Sequence, residues 1–197
     1  ILLNSQKLAV IKLPQWEQMR ASVRNNKIAF IKEKEIFTAK PDGADLSKIL
    51  ASDSLPRING TVDYPALSPD GKKVVFVSYK SLYDRSGLKP AGQAGDSLYT
   101  VNIDGSELKR IPLALEGSLE LERPVYNSNG DKIIFSAKSD NSLWQLYLYN
   151  TRTGGIKQIL DTDENMRFPY FSPDDNYLAF SSDYDGDEEV QILDLRN

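Results

Sequence analysis

The chain has 197 residues, 24 Lys plus Arg against 28 Asp plus Glu for a net charge of −4, and neither His nor Cys. Without His there is no Ser-His-Asp or Cys-His pair and no imidazole metal ligand, and without Cys no disulfide, thiolate nucleophile or iron–sulfur cluster. What remains is carboxylate, Lys, Tyr or Ser chemistry, an oxygen-ligated Ca²⁺ or Mg²⁺, or a binding role.

In chain order, the sequence opens on Ile1 rather than Met, as a processed or trimmed product would. Residues 8–13 then read as a lone strand, and Trp16 lies in the connection after it. Residues 18–30 begin a repeat, ending in Lys27-Ile28-Ala29-Phe30. Three stronger copies follow: Tyr64-Pro65-Ala66-Leu67-Ser68-Pro69-Asp70-Gly71 leading to Phe76, Arg123-Pro124-Val125-Tyr126-Asn127-Ser128-Asn129-Gly130 leading to Phe135, and Phe168-Pro169-Tyr170-Phe171-Ser172-Pro173-Asp174-Asp175 leading to Phe180. Phe30, Phe76, Phe135 and Phe180 are 46, 59 and 45 residues apart. The long middle interval comes from an insertion at 79–97 and a longer connection at 112–122.

Each copy predicts the same unit. A first strand ends in a turn of Pro-Asp-Gly, Asn-Gly or Asp-Asp-Asn, residues that supply a preset or left-handed φ. Second strands rich in β-branched and aromatic residues follow at 73–78, 132–137 and 177–182. Third strands are predicted at 36–39, 97–103, 143–149 and 190–195, and short fourth strands after Gly-containing turns at 46–50, 108–111 and 156–160. Residues 15–24 are the one stretch where a helical period competes. Four antiparallel strands per ~45 residues is a propeller blade.

The three strong copies resemble the TolB-type propeller repeat. Residues 64–111 and 168–197 match it closely. Residues 123–160 match with Asn-Ser-Asn-Gly where that repeat has Ser-Pro-Asp-Gly, and the first copy lacks both the Pro and the Gly. The resemblance covers about 150 of the 197 residues. It implies an all-β fold, one β-propeller domain over 1–197, with blades near 18–50, 64–111, 123–160 and 167–197. Two closures fit. Residues 8–13 could supply the fourth strand of the last blade and close a four-bladed ring. Alternatively the chain is part of a larger ring of the usual six-bladed type, associating with further blades or a second copy.

Charge divides by face. Connections from fourth to first and from second to third strands share one face of a propeller. With their flanks (17, 32–35, 53–63, 80–96, 116–123, 138–140, 161–167 and 183–189) they hold 19 acids and 9 bases. The remainder holds 9 acids and 15 bases. An acidic face favours a cationic partner segment. The candidate contacts on it are Trp16, Arg57, Tyr83, Arg85, Glu120, Glu122, Arg123, Asp163, Glu164 and Arg167. The glycine-rich insertion at 79–97 could contact a partner or be a neutral surface loop. Trp144, Tyr147 and Tyr149 alternate as packing between blades does.

Asp183, Asp185 and Asp187 alternate around Gly186 in a superficial likeness to a calcium loop, but no bidentate Glu follows at the required distance. In TolB-type blades this Ser-Asp-x-Asp-Gly stretch is the ordinary turn between second and third strands. No cofactor is expected, with Ca²⁺ as a minor alternative.

Three functions compete. The first is a non-enzymatic scaffold that binds a protein or peptide through the acidic face. The resemblance implies a periplasmic or extracellular setting for it. The second is the gating propeller of a prolyl-oligopeptidase-like or tricorn-like peptidase whose catalytic domain lies outside this chain. The third is a Ca²⁺-dependent propeller enzyme, for which the first strands offer only Ser22, Ser68, Asn127 and Ser172. The near-neutral charge gives no reason to expect nucleic acid, and no apolar run nears the ~20 residues of a membrane-spanning helix.

Overall fold

The computed structural model describes residues 21–50, 60–80, 95–117, 119–139, 142–183 and 186–196. Trp16, Arg57, Tyr83, Arg85, Asp185, the strand expected at 8–13 and the heart of the 79–97 insertion lie outside them. Among the described residues there are fifteen strands and no helix.

The strands form four antiparallel sheets, each in chain order. Blade 1 is β1 (Ala21–Arg24), β2 (Lys27–Lys32), β3 (Glu35–Ala39) and β4 (Ser47–Leu50). Blade 2 is β5 (Gly60–Leu67), β6 (Lys73–Lys80), β7 (Ser97–Asn102) and β8 (Lys109–Arg110). Blade 3 is β9 (Glu120–Tyr126), β10 (Lys132–Lys138), β11 (Gln145–Asn150) and β12 (Ile156–Gln158). Blade 4 holds β13 (Met166–Phe171), β14 (Tyr177–Ser182) and β15 (Glu189–Asp194). The strands expected within the described residues are present, with ends shifted by a residue or two. The ambiguous stretch before residue 24 resolves as strand β1 from Ala21.

The turn sequences explain the hairpins. Ser68 accepts the Lys73 N–H on its hydroxyl at 2.9 Å and donates that hydroxyl to Asp70 at 2.6 Å. Ser172 does the same with the Tyr177 N–H at 2.9 Å and Asp174 at 2.6 Å. In blade 3 Asn127 replaces the serine: its carbonyl accepts the Lys132 N–H at 2.9 Å and its amide donates to Asn129 at 3.0 Å. Gly71, Gly130 and Asp175 take the left-handed position with φ of 67°, 78° and 58°. Blade 1 reaches the same reversal through Asn25 and Asn26, both left-handed at φ 46° and 56°. Asn tolerates that region better than other side chains, so this copy needs neither Pro nor Gly.

The core lies between blades. Strand alternation sends Val74 and Phe76 into a cluster with Ala29, Ile36 and Leu50 of blade 1. The intervening Val75 and Val77 join Leu121, Ile133 and Phe135 of blade 3. Ile134 and Leu146 of blade 3 then meet Met166, Leu178 and Phe180 of blade 4. Each fully buried Phe or Leu contributes ~1.5–3 kcal/mol, so the stacking is driven by apolar burial. Blade 4 differs on its far face. There Tyr170, Ala179 and Ile192 stand in register across β13, β14 and β15, and Tyr170 and Ile192 are 65% and 71% exposed.

Candidate functional site

The inner strands β1, β5, β9 and β13 follow one another side by side and open on a shared cavity of about 440 Å³. Three of them carry the same irregularity. The residue before the proline is left-handed in each: Tyr64 at φ 49°, Arg123 at 46° and Phe168 at 56°. Ladder register slips at the same places, between Asp63 and Ala66, opposite Ile134–Ser136, and between Arg167 and Tyr170. A bulge of this kind re-aims a side chain, and all three of these residues line the cavity. Left-handed non-glycine residues store strain that the surrounding structure must hold in place.

What holds them is a ladder of rings and guanidinium groups. The Arg123 guanidinium carbon lies 5.8 Å from the Tyr64 ring and 4.6 Å from the Phe168 ring. Arg167 stands 4.6 Å from Phe168 on one side and 5.0 Å from Trp144 on the other. Lys138 adds a further cation 5.1 Å from Trp144. Tyr79 meets Tyr64 edge-on at 6.4 Å. The ladder thus crosses blades 2, 3 and 4. Each rung contributes about 0.5–1 kcal/mol at exposure of this kind.

The candidate contacts divide accordingly. Glu122 takes three N–H···O contacts from Arg167, at 2.7, 2.7 and 3.1 Å, and only 14% of its side chain is exposed. Glu120 pairs with Lys138 at 3.3 Å. Glu164 accepts a short hydrogen bond from the buried Ser182 hydroxyl. Asp163 is exposed on the loop between β12 and β13, as are Asp161 beside it and Glu188 before β15. Of these acids Glu122 joins blade 3 to blade 4, Glu120 and Glu164 are held within blades 3 and 4, and Asp161, Asp163 and Glu188 are exposed.

Asp183 is held by Asn165, whose backbone and side-chain N–H groups both donate to it at 2.7 Å. These bonds pull its carboxyl below the usual carboxylate range, the side-chain bond contributing most. Asn165 in turn accepts the Trp144 N–H at 2.9 Å, and Met166 N–H reaches the Trp144 carbonyl at 2.7 Å. The same pin recurs one blade earlier, where Asp96 N–H donates to Leu119 O at 2.7 Å and Leu121 N–H to the Asp96 carboxylate at 3.0 Å. Gly95 is required there, because a Cβ on it would stand 2.2 Å from Leu119 N. Asp187 is exposed. Among the described residues no group of three acidic side chains gathers as a metal cluster.

Of the polar residues on the first strands, Ser68, Asn127 and Ser172 are spent in their turns, and Ser22 accepts the Leu67 N–H at 3.1 Å across blades 1 and 2. Tyr147 stacks on Phe135 at 6.0 Å, and with Tyr149 packs on the core between blades 2 and 3. Trp144 works instead as the ladder's ring.

No protein-family model matches the chain. A TolB homolog of Chlorobium luteolum is 29% identical over 181 residues, covering 89% of this chain and 36% of the relative. The crystal structure of TolB from Acinetobacter baumannii superposes with a TM-score of 0.63 at 17% identity, over 89% of this chain and 40% of that one. A Mycobacterium tuberculosis puromycin-hydrolyzing peptidase superposes with a TM-score of 0.65 at 12% identity, over 92% of this chain and 29% of that one. The chain thus spans a little over a third of the curated relative it matches. The chain has the β-propeller fold, with four antiparallel sheets in the order the repeats predict, and is similar to TolB proteins.

Proposed function

We propose that this chain is a non-enzymatic propeller scaffold that binds a protein or peptide partner across its acidic loop face and into the central cavity. The observation that carries this reading is the placement of Asp161, Asp163 and Glu188. They are exposed on loops of one face, outside the bonds that join the blades. Exposed carboxylates on one face attract a cationic segment and speed its encounter. The TolB-like repeat supports a periplasmic or extracellular setting. The gating propeller of a peptidase is the second reading. The fold likeness to a puromycin-hydrolyzing peptidase favours it, and a G-x-S-x-G motif with a late His in the adjoining coding sequence would establish it.

Affinity capture with the full chain in native extract tests the scaffold reading. The companion bait carries Asp161→Lys, Asp163→Lys and Glu188→Lys. Loss of captured proteins from the variant supports the acidic face as the binding surface. Recovery of the same set by both baits overturns it.

A further inference from the structure

The charge of the cavity lining is opposite to that of the acidic loops. Among the residues lining it, only Arg24 and Arg123 are charged, and no acid stands with them. Neither Arg makes an ion pair or a hydrogen bond through its guanidinium among the described residues. Arg152, Arg167 and Arg196, by contrast, pair with carboxylates. Arg123 is also fixed in place. Its backbone is held left-handed at φ 46°, and its guanidinium lies over Tyr64 and Phe168. Ring contacts engage the faces of a guanidinium and leave its N–H edge available. That edge matches the two oxygens of a carboxylate.

We propose that the central cavity binds a carboxylate of the partner peptide on Arg123, with the aromatic walls of Tyr64, Phe168 and Tyr170 receiving the neighbouring side chain. This rests on the peptide-binding reading above and names what enters the cavity. A carboxylate suits the site better than a phosphate. The chain's net negative charge and exposed acidic loops oppose a dianion more strongly than a monoanion carried on a chain with basic residues. The fitting ligand is thus a peptide with Lys or Arg upstream and a carboxylate at its tip. Two sources supply that group: a free C-terminus, or an Asp or Glu side chain.

The test uses the full chain with ¹⁵N-labelled arginine and follows the Nε resonance of Arg123. Three lysine-containing hexapeptides ending in phenylalanine are titrated: one with a free C-terminus, one amidated, and one amidated with Asp before the Phe. A fourth repeats the free C-terminus with the lysines replaced by alanine. The expected result is a saturable shift with the free-acid or the Asp peptide, the stronger of the two identifying the source. The plain amide should bind at least about tenfold more weakly, as loss of a charged hydrogen-bond pair requires. Arg123→Gln should remove that preference and Arg123→Lys should restore part of it. Equal binding of acid and amide overturns the proposal while leaving the acidic-face reading standing. Tight binding of the alanine peptide through Arg123 overturns the acidic-face reading instead. No saturable shift with any peptide overturns the cavity proposal, and unchanged preference in Arg123→Gln does so too.

Discussion

Arg167 and Glu122 sit 45 residues apart at equivalent positions of neighbouring inner strands, and a bidentate ion pair joins them. Each immediately precedes a left-handed residue, Phe168 and Arg123 respectively. The pair therefore fastens blades 3 and 4 where the backbone is strained. Fork-shaped Arg–carboxylate contacts are the strong class of ion pair, and partial burial limits screening by salt. Glu122→Ala should cost about 1–2 kcal/mol in urea denaturation. A double-mutant cycle with Arg167→Met should return a coupling of at least about 0.5 kcal/mol. A coupling near zero would mean that the ring ladder alone joins these blades.

Asp175 makes a second fastening at the other end of the same two blades. Its carboxylate accepts the Ser128 N–H at 2.8 Å, the Ser128 hydroxyl at 2.7 Å and the Asn127 amide at 3.1 Å. It does this from a left-handed backbone at φ 58°. Asp175→Gly relieves the strain and loses the bonds, whereas Asp175→Ala loses both advantages. The expected order of stability is wild type, then Gly, then Ala, with Ala about 2 kcal/mol below wild type. A Gly variant more stable than wild type would show that the three bonds contribute less than the strain that glycine relieves.

Acid should loosen the molecule at its turns. The Ser172 hydroxyl and the Asn176 N–H groups hold Asp174 below the usual carboxylate range. Ser68 does this first for Asp70, Asn165 for Asp183, and Arg196 holds Asp194 at about 2. A carboxyl depressed in the folded state stabilises above its unfolded value of about 3.9 and loses that stabilisation as pH falls through the folded value. The thermal midpoint should therefore fall as pH drops below about 4. Asp174→Asn should lower the midpoint at neutral pH and flatten its fall on acidification. An acid response identical to wild type would show that this turn lock plays no part in it.

The blades were legible because their determinants are local. Pro69-Asp70-Gly71 and Asn129-Gly130 specify their reversals within four residues, and β-branched runs such as Lys73–Lys80 specify the strand that follows. The roles of Glu122, Arg123 and Arg167 were not legible in the same way. Glu122 and Arg167 lie 45 residues apart and Arg123 lies 59 residues from Tyr64, and these groups meet only after the blades stack. In sequence Glu122 is one more acid on an acidic loop face, and nothing adjacent to it signals that Arg167 will neutralise it. Nor does the sequence announce the left-handed residue before each proline, since the preference of that position is extended. Nothing local in the sequence separates the exposed Asp161 and Asp163 from their neighbour Glu164, which bonds to the buried Ser182.

The central claim is that exposed acids on one face recruit a cationic partner. Calorimetric titration of a lysine-rich peptide into the full chain, at about 50 and 300 mM salt, tests it most directly. Wild type should bind, and more weakly at the higher salt. Asp161→Lys/Asp163→Lys/Glu188→Lys should lose about tenfold or more in affinity. The control Asp45→Lys/Glu107→Lys, on the opposite turns, should stay within about twofold of wild type. Equal losses in both variants, or none in either, would contradict the acidic-face account.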